Sequence, residues 1–81
     1  MKAKVIVMPK PDVLDPQGKA VGGALHSLGY NQVGDIRVGK MIVLELGDSV
    51  GEADARTQVE DMCNKLLANT VIEDYSFVIE E

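Results

Sequence analysis

Apolar residues in this chain recur first at every second position, then at every third and fourth, and the alternation of periods repeats. Ala3 to Met8 reads as a strand, with Val5 and Val7 on one face and Ile6 and Met8 on the other. Pro9-Lys10-Pro11-Asp12 ends it, because proline supplies no ladder donor. Asp15 followed by Pro16 has the form of an N-cap and first helical position. Val21, Ala24, Leu25 and Leu28 then form one helical stripe, and Gly29 is the stop signal. Gly18, Gly22 and Gly23 weaken this first helix intrinsically, so packing must hold it, and they permit close backbone approach.

Gln32 to Val38 reads as a second strand and Gly39-Lys40 as a two-residue hairpin turn. Met41 to Leu46 follows as a third strand, with Ile42, Leu44 and Leu46 on one face. Gly47 to Gly51 is a loop, in which Ser49 and Glu52 have capping-box spacing. Val59, Met62, Cys63, Leu66 and Leu67 make the strongest helical stripe, and Asn69 suits a left-handed helix end. Glu73 to Ile79 gives a fourth strand, with Tyr75, Phe77 and Ile79 alternating.

The expected fold is therefore α+β, a ferredoxin-like β-α-β-β-α-β domain over residues 1–81. Its four-stranded antiparallel sheet would carry both helices on one face. Ile6, Met8, Met41 and Val43 would share the open face with Lys4 and Glu45, which suggests that a partner covers it.

Composition narrows the class. At 81 residues there is room for one small core, and oligomerisation commonly supports domains of this size. A hydrophobic fraction of 46% argues against disorder. No apolar run approaches the ~20 residues of a membrane span, and the N-terminus has no signal-peptide pattern, so the expected location is the cytoplasm without membrane partners. The net charge of −5 argues against nucleic acid. The charge is uneven: residues 1–40 hold six Lys/Arg and three Asp, residues 41–81 two Lys/Arg and ten Asp/Glu.

Candidate chemistry is sparse. His26 has no neighbour at metal-ligand spacing, and a single cysteine, Cys63, excludes an internal disulfide or a Cys-x-x-Cys site. Cys63 falls on the apolar stripe and reads as core. The acidic pairs Glu60-Asp61, Glu73-Asp74 and Glu80-Glu81 are adjacent in sequence and so diverge in direction. The glycines of the first helix match no phosphate-binding motif. Acylphosphatases share the element order but use an arginine in the first strand–helix loop, where this chain has Lys10. No catalytic or metal site is expected, and the isolated chain is expected to be inactive. An alternative with the same element order is an ACT-like small-ligand-sensing regulatory module.

Three segments carry a resemblance. They are Leu14-Asp15-Pro16-Gln17-Gly18 with Ala24-Leu25, then Ile36-Arg37-Val38-Gly39-Lys40, then Cys63 to Tyr75 (CNKLLANTVIEDY). In this order the chain resembles the PurS family, the small subunit of phosphoribosylformylglycinamidine synthase in bacteria and archaea. The resemblance implies a role in de novo purine synthesis. The synthase is an ATP-dependent carbon–nitrogen ligase with glutamine as amido donor. A glutaminase subunit (PurQ) releases ammonia, and a synthetase subunit (PurL) uses ATP and Mg to activate the amide that receives it. The small subunit is implied to be a non-catalytic homodimer or dimer of dimers that bridges the two and aids ammonia transfer, with no cofactor of its own. On that resemblance Arg37 and Lys40 are the first candidate partner contacts, and Asn69, Glu73, Asp74 and Tyr75 the second. Asn69 as a helix cap and Tyr75 as core are the competing readings.

Overall fold

The computed structural model describes residues 1–47 and 49–80. Its elements are β1 (Lys2–Pro9), α1 (Pro16–Ser27), β2 (Lys40–Glu45), α2 (Glu52–Met62), a π-helical turn (Cys63–Leu67) continuing α2, and β3 (Glu73–Glu80). β1 is the central strand of an antiparallel sheet in the order β2-β1-β3. Val5 sits between Ile42 on β2 and Phe77 on β3. That placement suits the strand with apolar residues on both faces. Ala3, Val5 and Val7 form the buried floor, and Val59, Cys63 and Ala68 cover it. Ile42, Leu44, Leu46, Leu67, Tyr75, Phe77 and Ile79 pack around them.

The sheet has three strands among the described residues, not the expected four. Gln32–Val38 forms no ladder, and Gly39-Lys40 is not a hairpin turn. A hairpin there would carry Val38 to the outer side of β2, roughly 10 Å from β1 at two strand widths. Instead the chain enters β2 from beyond the end of β1. Arg37 Nη1 donates to the Pro9 carbonyl at 3.1 Å. A Cβ on Gly39 would collide with the Val7 carbonyl and the Met8 sulfur, so glycine permits the close pass. Side-chain parity explains the outcome. The two-residue hairpin would pair Arg37 with Ile42 and Asp35 with Leu44, turning two charges toward the helix-covered face. The in-line path keeps Ile36, Val38, Ile42 and Leu44 on one side and Asp35 and Arg37 on the other.

The two helices do not share one face of the sheet either. α2 covers it, whereas α1 adds no residue to the core. α1 packs on residues 33–38 beyond the sheet, which stretches the molecule to 51 × 26 × 14 Å. Its apolar stripe is consequently open, with Leu28 73% exposed.

Local signals at the helix ends fared unevenly. Asp15 caps α1 through its side chain and Pro16 opens the helix, as its sequence predicts. Gly29 follows the helix with φ of 100°, a conformation natural to glycine. At α2 the N-cap is Gly51 and no side chain caps it, so the Ser49–Glu52 capping box does not form. Asn69 is not left-handed, since no residue other than glycine has positive φ among those described. Its backbone carbonyl instead accepts from Ile72 and Glu73 in a turn. The π-helical turn closes with Ala68 N donating to Cys63 O at 3.1 Å. The extra residue in that turn rotates the stripe. Leu66 swings out to 82% exposure, and Ala68 takes a place in the core.

Candidate functional site

Most of the candidate contact residues converge on the C-terminal end of β1. Pro9 ends the strand without an N–H to donate, and the two neighbouring strands flank it. On the β2 side Lys40 lies opposite Val7, with Arg37 reaching the Pro9 carbonyl. On the β3 side Glu73 lies opposite Pro9 and Asp74 opposite Met8, and Lys10 N donates to Ile72 O at 2.9 Å. Two cations thus stand on one side of the strand end and two carboxylates on the other. Asp15, Gln17, Val38, Lys40, Ile72 and Glu73 help to line a cleft of about 300 Å³ here.

Asn69 joins this end through Glu73. Its backbone N–H donates to Glu73 Oε1 at 2.7 Å, and its side-chain Oδ1 accepts from Val71 N at 3.2 Å. These bonds shape the turn into β3, which is a local structural role. Tyr75 packs against the core and does not face the cleft. Lys40 and Glu73 therefore share the cleft, Arg37 and Asp74 stand at the same end of the sheet on its other side, Asn69 supports Glu73, and Tyr75 lies apart.

A second, larger groove of about 490 Å³ runs between α1 and residues 34–37, bordered by Leu14, Gly18, Gly22, His26, Ile36 and Arg37. Its walls depend on Asp15. One carboxylate oxygen accepts from Gly18 N and the other from Val38 N. These amides, Gly18 first and then Val38, hold the Asp15 carboxyl below its ordinary range against the opposing effect of partial desolvation. At neutral pH it is an engaged carboxylate that anchors backbone. His26 Nε2 donates to the Val33 carbonyl at 2.8 Å and ties the far end of the groove. Sequence reasoning did not find this groove; the three glycines of α1 were its only trace.

Cys63 is fully buried, and that burial, helped by Glu60, pushes its thiol pKa up. A thiol kept protonated in a closed core is a packing group, not a nucleophile. Among the described residues no three His, Cys, Asp or Glu gather as a metal-binding group, and no helix is long and apolar enough to cross a membrane.

The model of the family PurS, phosphoribosylformylglycinamidine (FGAM) synthase, matches residues 2–81. The chain belongs to the PurS family. It is 54% identical over 80 residues to the phosphoribosylformylglycinamidine synthase subunit PurS of Bacillus subtilis, covering 99% of this chain and 93% of that one. The corresponding subunit of Methanocaldococcus jannaschii is 41% identical, with 99% and 95% covered. Among solved structures, B. subtilis PurS superposes with a TM-score of 0.86 at 52% identity, covering 99% and 98% of the two chains. A chain in the structure of PurLQS from Thermotoga maritima superposes with a TM-score of 0.83 at 30% identity, covering 95% and 93%.

Proposed function

We propose that this chain is the bridging subunit of FGAM synthase, holding the glutaminase (PurQ) and the ATP-dependent synthetase (PurL) together so that ammonia passes between them. As a PurS-family member it is a subunit of this enzyme of purine biosynthesis. The observation that carries the bridging role is its likeness over nearly its whole length to a chain of the PurLQS assembly. The molecule is suited to such work. Its open sheet face presents Ile6, Met41, Val43 and Val78, and α1 presents Val21 and Leu28, all substantially exposed. Apolar surface of this kind on so small a protein marks contact with other chains. Self-association, as a dimer or a dimer of dimers, covers part of it, and PurL and PurQ cover more. Arg37 and Lys40 are the leading contact residues at the end of β1, with Glu73 and Asp74 beside them. ATP and Mg are handled by the synthetase chain, and the complex works in the cytoplasm.

The test is reconstitution. Purified PurL and PurQ are assayed for glutamine-dependent FGAM formation with and without this chain. Activity should rise severalfold or more on its addition, while the chain alone forms neither glutamate nor FGAM. Equal activity in its presence and absence would overturn the reading.

A further inference from the structure

The cleft at the C-terminal end of β1 is a small pocket with opposite charges in its lining. Ala3, Val5 and Val7 turn toward the covered face of the sheet. The register puts Lys40, opposite Val7, and Glu73, opposite Pro9, on that same face. No residue of α2 lines the cleft. Its apolar lining is Val7, Val38 and residues of the flanking loops, of which Leu14 is 76% and Ile72 42% exposed. Two carboxylates line it, and one is available. Asp15 engages both its oxygens with Gly18 N and Val38 N. Glu73 accepts from Asn69 N through Oε1 at 2.7 Å, which fixes the side chain and leaves Oε2 open. Lys40 and Glu73 do not pair with each other, and neither enters an ion pair elsewhere among the described residues. They stand on the two strands that flank β1, so their backbones are roughly 10 Å apart or more.

We propose that this cleft binds a free α-amino acid with an aliphatic side chain. At neutral pH such a molecule is a zwitterion. Its carboxylate meets the Lys40 ammonium, its ammonium meets Glu73 Oε2, and its side chain lies against Val38 and Ile72. A simple anion or cation would satisfy one of these two charges and leave the other facing apolar wall, whereas a zwitterion satisfies both at once. The volume, about 300 Å³, lies at the small end of ligand pockets and suits a molecule of this size. This site is additional to the bridging role, and either reading can fail without the other.

The experiment titrates L-valine into the isotope-labelled full chain and follows backbone amide shifts by NMR. Saturable shifts are expected at Gly39, Lys40, Asn69 and Glu73, with a dissociation constant of about 10 mM or tighter for a ligand of this size. Isovalerate, which lacks the ammonium, and isobutylamine, which lacks the carboxylate, should each bind about tenfold or more weakly. Lys40→Met and Glu73→Gln should weaken L-valine binding by a similar factor. Glu73→Gln retains an acceptor for Asn69 N, so the turn into β3 persists. The two half-analogues decide the matter on the wild-type chain if a variant fails to fold. No saturable shift, shifts confined to other parts of the chain, or a half-analogue binding as well as L-valine overturns the proposal. Glutamine-dependent FGAM formation with PurL and PurQ, measured separately, decides the bridging role.

Discussion

The carboxylate of Asp15 grips the amide of Val38 at 2.8 Å across 23 residues of sequence, while its other oxygen caps Gly18 N at 3.0 Å. One side chain therefore starts α1 and steers the incoming chain into β2. Asp15→Ala should release both. Hydrogen exchange should speed at the Gly18 and Val38 amides and along residues 33–38, while the amides of β1 keep their protection.

The same carboxylate carries a pH dependence. Its pKa is lowered from 3.8 by the bonds it accepts. A depressed folded value means that its stabilisation is complete above the unfolded value and is lost as pH falls through the folded one. Urea denaturation between about pH 2 and 5 should show this loss, and Asp15→Asn should flatten that part of the profile.

Two glycines of α1 should respond oppositely to alanine. At Gly18 a Cβ would run into the Ile36 carbonyl and come within 2.8 Å of Asp15 Oδ2. Backbone cannot yield cheaply there, so Gly18→Ala should destabilise by about 1–3 kcal/mol. At Gly23 a Cβ meets nothing within 4 Å, so Gly23→Ala should stabilise by up to about 1 kcal/mol through helix propensity. Equilibrium urea unfolding measures both.

The π-helical turn divides the stripe of the second helix into two kinds of residue. Val59 is fully buried, and Val59→Ala should cost about 2–3 kcal/mol through lost burial and a residual cavity. Leu66 is 82% exposed, and Leu66→Ala should change the stability of the chain alone by less than about 0.5 kcal/mol. Thermal melts of the two variants separate them.

Cys63 offers a probe of the folded core. Burial closes access and raises the thiol pKa. An aromatic disulfide reagent at neutral pH should label the native chain at the rate of global or local opening, and the urea-unfolded chain within its mixing time. Prompt labelling of the native chain would contradict the closed core.

Much of the molecule was legible from residue order. Alternation marked the three strands that pair, and Asp15-Pro16 and Gly29 marked the ends of α1, because these signals act within a few residues. The contact candidates Arg37, Lys40, Glu73 and Asp74 came from family resemblance, and the register of β1 brings them to one end of the sheet. The capping box at Ser49 and the left-handed Asn69 were local patterns that the backbone did not use.

The sequence by itself determined which segments of the three paired strands are extended, where the two helices lie, and that β1 carries apolar residues on both faces, since period and apolarity are local properties of the chain. Only the tertiary structure decided where residues 32–38 go and what α1 packs against. A glycine before a lysine is compatible with a turn or with a straight passage. The choice fell to contacts far apart in sequence: Asp15 with Val38, Arg37 with Pro9, Gly18 with Ile36. These keep Ile36 and Val38 on the same side as Ile42 and Leu44 and leave the charges of Asp35 and Arg37 outside. The consequence is a three-stranded sheet with an open edge among the described residues and an α1 whose apolar stripe is uncovered.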